Sequence, residues 1–192
     1  MKTCPLVAAL RAFVILCLVS SCAAQNWERV EKTDALRGTT YSQFALTGKF
    51  LTPPKQTSAA APVFVVKCIH GEHSAGFHSY KSGKFLDAYM VLGAVVDFHT
   101  GGTSVHYRLD DGKVHDESWS HGTDGTAIFP AEIQLNTLLY GHFMPHKEGT
   151  GDPIRKVVIA VNEYLGTEVV MQFDMPDPSP VADACGIIIH KK

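Results

Sequence analysis

Apolar and polar residues alternate along much of this chain, and short blocks of Gly, Pro, Asp and Ser interrupt the alternation. The clearest case runs from Val105 to Trp119, V-H-Y-R-L-D-D-G-K-V-H-D-E-S-W, where two alternating runs meet at Asp111-Gly112. That pair readily supplies the positive φ of a tight turn, so the stretch predicts a β-hairpin. With Asp111-Gly112 as the loop, Leu109 faces Val114 and Tyr107 faces Asp116, and Val105, Tyr107, Leu109 and Val114 share one apolar face. The other face then carries His106, Arg108, His115, Glu117 and Trp119.

The same pattern predicts the neighbours. Val63 to Cys68 is short and β-rich, and Thr126 to Phe129 is a short strand. Ala88 to Phe98 is nearly all apolar, and its valines predict a strand buried on both faces with a bulge at Gly93. Lys156 to Val161 and Glu168 to Met175 read as two strands, with Val169, Met171, Phe173 and Met175 on one side of the second. Pro130 to Tyr140 carries helix signals: a proline at its start, Glu132 in its first turn, Gly141 at its end and a stripe of Ile133, Leu135, Leu138 and Leu139. Upstream, Asp34 to Gly38 reads as a helical turn and Tyr41 to Phe50 as a strand with Phe44, Leu46, Gly48 and Phe50 on one face. The whole predicts a mainly β chain, an antiparallel β-sandwich with one short helix packed across it. Its expected divisions are a signal peptide at 1–22, an N-terminal segment with one strand at 23–51, a Pro-, Ala- and Ser-rich linker at 52–62, and the sandwich domain at 63–190.

Composition narrows the picture. At 192 residues and 45% hydrophobic content the chain can bury one core, and a second full domain is not expected. No Lys/Arg-rich block is present, which argues against a nucleic-acid partner. Residues 1–24 look like an export signal: Lys2 and Arg11 supply positive charge, Ala12 to Val19 is an unbroken apolar run, and small residues follow. The run is too short to span a bilayer. Val19-Ser20-Ser21-Cys22 matches a bacterial lipobox with Val at its first position, which would make Cys22 the lipidated N-terminus; alternatively, signal peptidase cuts after Ala24. Either cleavage removes two of 17 basic residues and none of the 19 acidic ones, giving about −4. Of the five cysteines, Cys4 and Cys17 leave with the signal and Cys22 is lipidated or removed, so Cys68 and Cys185 remain as a disulfide pair in an oxidising compartment.

From Val63 to Cys185 the order of features resembles the TagO/VasI-like family of exported proteins associated with type VI secretion. The features are an apolar strand ending in Cys68, V-H-Y-R-L-D-D-G at Val105–Gly112 followed by Trp119, D-G-T-A-I-F at Asp124–Phe129, a Leu-rich helix, Phe173-Asp174 and a closing Cys185. The chain departs from that family at Met175-Pro176-Asp177-Pro178, where a Gly-Leu step into a helix belongs, and in its additional Trp27–Phe50 segment and linker. The resemblance implies a non-catalytic accessory protein and brings no active-site residues.

The chemistry points the same way. Arg108, His106, His115, Glu117 and Trp119 are the candidate binding residues: an arginine beside a carboxylate and near an indole presents a fork to an anionic or carbohydrate partner. The competing reading is an internal cross-strand ladder in which His106 pairs with Glu117 and Arg108 with His115. His70, His73 and His78 share a glycine-containing segment, but their spacing matches no zinc motif, so solvated loop histidines are expected in preference to a metal site. Nucleophile motifs and phosphate-cradling glycine loops are absent. The expectation is an exported, lipid-anchored, non-catalytic binding or accessory module of the bacterial cell envelope. It needs no cofactor, its partner is a protein or other envelope component, and it meets the membrane only through the lipid. The alternatives are an envelope hydrolase acting on carbohydrate or peptide, and a His-based periplasmic metal-binding protein.

Overall fold

The computed structural model describes residues 26–36, 38–55, 60–70, 73–75, 78–80, 84–97, 101–140, 152–164 and 166–186. Cys22 and the apolar run before it lie outside the described residues, as do the side chains of His73 and His78. The protein is mainly β. Ten strands form one antiparallel sheet: β1 (Glu28–Asp34), β2 (Thr39–Thr47), β3 (Lys49–Thr52), β4 (Val63–His70), β7 (Lys84–Val91), β8 (Thr103–Leu109), β9 (Val114–His121), β10 (Ala127–Phe129), β11 (Lys156–Asn162) and β12 (Glu168–Asp174). A separate two-stranded ribbon holds β5 (His73–Ala75) and β6 (His78–Tyr80). Among the described residues there are two helices, α1 (Glu132–Tyr140) and α2 (Ser179–Cys185).

The sheet order is β1-β2-β4-β7-β10-β9-β8-β11-β12-β3. Strands β2 and β3 are consecutive in sequence yet lie near opposite ends of that order, with only Gly48 between them. The sheet must therefore fold over on itself at Gly48, which is the corner between two layers. A Cβ there would sit 2.7 Å from the Phe173 ring and 2.8 Å from the Gln172 carbonyl, so only glycine fits without displacing the facing layer. The second corner is β9, whose residues up to Trp119 pair with β8 and whose Ser120 and His121 pair with β10.

Between the layers lies one core, filled by alternate residues of each strand. Phe44 and Leu46, Phe64 and Val66, Val105 and Tyr107, Val157 and Ile159, and Val169, Met171 and Phe173 all point inward. Phe64 on β4 meets Phe173 on β12 edge-on across this core at 6.0 Å. Helix α1 contributes Leu135, Leu138 and Leu139. Helix α2 packs against β4 and β7 and carries Cys185 to Cys68, the two joined in a disulfide with a Cα separation of 4.9 Å. The bridge closes a span of 117 residues and stabilises the fold mainly by restricting the unfolded chain, typically by about 2–4 kcal/mol.

Five sequence expectations change. Glu28–Asp34 is a strand paired with β2, and the helical turn expected over Asp34–Gly38 joins the two, closed by the Gly38 N–H on the Asp34 carbonyl at 2.7 Å. The single strand expected over Tyr41–Phe50 is broken at Gly48 into β2 and β3. The strand through Gly93 ends at Val91; Gly93 takes φ +64° to turn the chain, and the register irregularity lies instead at Lys67/Cys68. A second helix forms after Pro178, where Pro180 occupies a first-turn position that needs no N–H donor.

The fifth change is the hairpin register. Tyr107 pairs with His115, His106 with Asp116 and Arg108 with Val114, one residue away from the expected alignment. Asp110 joins the loop with φ 48°, and its Oδ1 accepts the backbone N–H groups of Arg155 and Lys156 at 3.0 and 2.9 Å. This latch to the start of β11 adds a loop residue, and a one-residue slip reverses which face each β9 side chain occupies.

Candidate functional site

The shifted register divides the five expected binding residues between two faces. His115, Glu117 and Trp119 turn inward with Tyr107; His106 and Arg108 turn outward with Val114 and Asp116.

Inside, Glu117 is held by two donors: the Tyr107 hydroxyl donates to Oε1 at 2.8 Å and the Trp119 indole N–H to Oε2 at 2.9 Å. The His115 ring stacks on Tyr107 at 5.0 Å. Burial, followed by the Glu117 carboxylate, pushes the Tyr107 phenol above the ordinary tyrosine range. Both oxygens of Glu117 are thus committed to neighbours within the fold, and it is no partner for Arg108.

Outside, β8, β9, β11 and β12 present a shallow groove of about 400 Å³. Its floor is Val158, Ala160 and Val170, and Val114, His106, Arg108 and Glu168 stand around it. The register explains the set: His106, Ala160 and Val170 lie in one row across three strands, and Arg108 and Val158 in the next. Most charges near this face are paired. His106 Nδ1 contacts Asp116 Oδ1. Lys156 Nζ lies 2.9 Å from Asp111, and its hydrogen bond and charge, with a lesser pull from the Arg108 charge, hold that carboxyl below the usual range. Asp174 is likewise lowered, first by the Gln172 amide and then by Lys49 at 3.1 Å. Two charges differ. Among the described residues neither Arg108 nor Glu168 makes a hydrogen bond or ion pair, and both are exposed.

The outer face of the other layer is closed. Lys67 Nζ lies 4.8 Å from the Tyr89 ring centroid and 6.0 Å from that of Tyr41, and Phe129 leans on Tyr89 at 5.8 Å. Asp87 is raised by burial against an opposing pull from Lys67. Val65 and Ile69 on this side are themselves buried.

His70 is engaged by Ser42, its Nε2 lying 2.6 Å from an Oγ that has no solvent exposure. Ser42 pairs across the strands with Cys68, and His70 ends β4 partly buried, so it is not the solvated loop histidine expected. No three His, Cys, Asp or Glu side chains among the described residues gather into a metal-holding group. No described helix is long and apolar enough to cross a membrane.

Sequence reasoning missed Val158, Ala160, Val170 and Glu168. The signal was present in K-V-V-I-A-V and E-V-V-M: strands apolar at successive positions have apolar residues on both faces, and one face here is solvent-facing. No family model matches the chain, and no curated protein and no solved structure matches it either.

Proposed function

We propose that this chain is an exported, lipid-anchored, non-catalytic binding or accessory module of the bacterial cell envelope, with the outer face of β8, β9, β11 and β12 as its recognition surface. The observation that carries the reading is the Arg108 guanidinium, left without an ion-pair partner among the described residues beside an apolar groove. An arginine fork that no internal carboxylate occupies is free for a partner's carboxylate or phosphate. The Cys68–Cys185 disulfide supports the compartment, since such bonds persist where the medium is oxidising. The lipobox-like Val19–Cys22 supports the anchor, and the kinship with the TagO/VasI-like group belongs to the same proposal.

A photocrosslinking residue placed at Val158 in the native envelope is expected to give a discrete adduct, whereas the same residue at Gln43 on the opposite outer face gives none. Equal labelling from both positions contradicts the assignment of the surface. Cys22→Ser is expected to move the protein from the membrane to the soluble fraction; unchanged fractionation contradicts lipidation.

The His106–Asp116 pair favours a second reading, an envelope hydrolase. The carboxylate sits on Nδ1, the arrangement that orients an imidazole as general base through its other nitrogen. Ser104 lies on the same face two residues before it, and no contact between the two is formed. Labelling of Ser104 by a fluorophosphonate, abolished in His106→Gln, would establish this reading; absence of labelling rejects it.

A further inference from the structure

We infer that the groove takes a short zwitterionic peptide, its carboxylate on Arg108, its ammonium on Glu168 and its body across Val158, Ala160 and Val170. The inference rests on reading this groove as the recognition surface and names the class of ligand.

It follows from how charge is distributed around the floor. Asp116, Asp111, Asp174, Lys156 and Lys49 are matched within the fold. What remains is one cation, Arg108, whose charge acts on Asp111 but which makes no hydrogen bond or ion pair among the described residues, and one anion, Glu168; both line the same depression and neither is bonded to the other. They stand at opposite ends of it. Arg108 is aligned with Val158 on β11, whereas Glu168 is aligned with Asn162, four residues further along that strand and one strand beyond it. Strand rise and spacing put their Cα atoms on the order of 16 Å apart. Two long side chains reaching inward leave room for an extended peptide of about three residues.

Complementarity therefore has two points and a polarity. A purely anionic ligand satisfies Arg108 and is repelled at Glu168, and a neutral apolar ligand leaves both charges unmatched. The floor is made of Val and Ala side chains, which suits small apolar residues in the peptide. The exposed Val114, 58% accessible, extends that apolar surface beside Arg108.

The test is calorimetric titration of the full chain with tri-alanine, N-acetyl-tri-alanine and tri-alanine amide. Tri-alanine is expected to bind, and blocking either end is expected to weaken binding about tenfold or more, as loss of a charge-assisted hydrogen bond does. Arg108→Ala should remove the difference between acid and amide while keeping the effect of acetylation. Glu168→Gln should do the reverse. Both side chains are exposed, and melting curves confirm that each variant folds. No binding at millimolar peptide, or binding indifferent to both blocks, overturns the inference. If the Val158 crosslink persists in that case, only the ligand class has failed; if it too is absent, the recognition surface has failed with it.

Discussion

The two outward faces of the folded sheet are built from the same alternation, yet one is finished and the other is open. On β2, β4 and β7 the outward lysine lies over two tyrosine rings, with a half-buried aspartate nearby. On β8, β11 and β12 the outward floor is Val, Ala and Val, beside the paired His106 and an arginine and a glutamate that make no hydrogen bond or ion pair among the described residues. Charges matched internally contribute to stability. The two charges left unmatched on the open face contribute little to it and are retained for something else. The contrast can be broken or sharpened by substitution.

The largest effect is expected at the corner both faces share. Gly48→Val places atoms where the Phe173 ring and the Gln172 carbonyl already lie, so it should destabilise by about 3 kcal/mol or more, or prevent folding. A denaturation midpoint equal to that of the natural chain would mean the layers do not meet there. Next is the disulfide: Cys68→Ser should lower stability by about 2–4 kcal/mol, read as the shift in urea midpoint under non-reducing conditions. Denaturing thiol labelling of the unsubstituted protein should find both cysteines blocked, and free thiols there would contradict the bridge.

The inner clamp comes third. Tyr107→Phe leaves one Glu117 oxygen without its donor and should cost about 1–2 kcal/mol by thermal melting. It also carries a pH signature. The native phenol titrates above the ordinary value of 10.0, so the folded state retains a proton the unfolded chain has lost. Stability from this group is complete below that value and falls as pH rises beyond it. Tyr107→Phe should make the alkaline decline shallower, with Tyr140, raised by burial, supplying what remains.

Much of this was legible beforehand. Period-two alternation identified β8, β9, β11 and β12, and the cysteine count gave the pair that the fold joins. The hairpin register was not legible, because it depends on Asp110 latching onto backbone 45 residues later, a tertiary contact no local turn rule contains. That single residue determines whether Glu117 faces Arg108 or Tyr107. The charged strand β1 was hidden for a different reason: all but Asp34 of its residues are exposed, so burial left no apolar pattern to read. The floor of the groove escaped notice because Val158 and Ala160 looked like core, their neighbours Val157 and Ile159 being core in fact.

The smallest stability effects separate the two faces. Lys67→Ala removes a cation held over two rings and should cost about 0.5–1 kcal/mol. Arg108→Ala removes a cation that makes no hydrogen bond or ion pair among the described residues and should stay within about 0.5 kcal/mol of the natural chain.

That last variant, read in two ways at once, tests the central claim most directly. Melting of Arg108→Ala should superimpose on that of the natural protein, while the adduct formed from a crosslinker at Val158 is lost. A clear fall in melting temperature with the adduct retained would show that Arg108 serves the fold and that the recognition surface lies elsewhere.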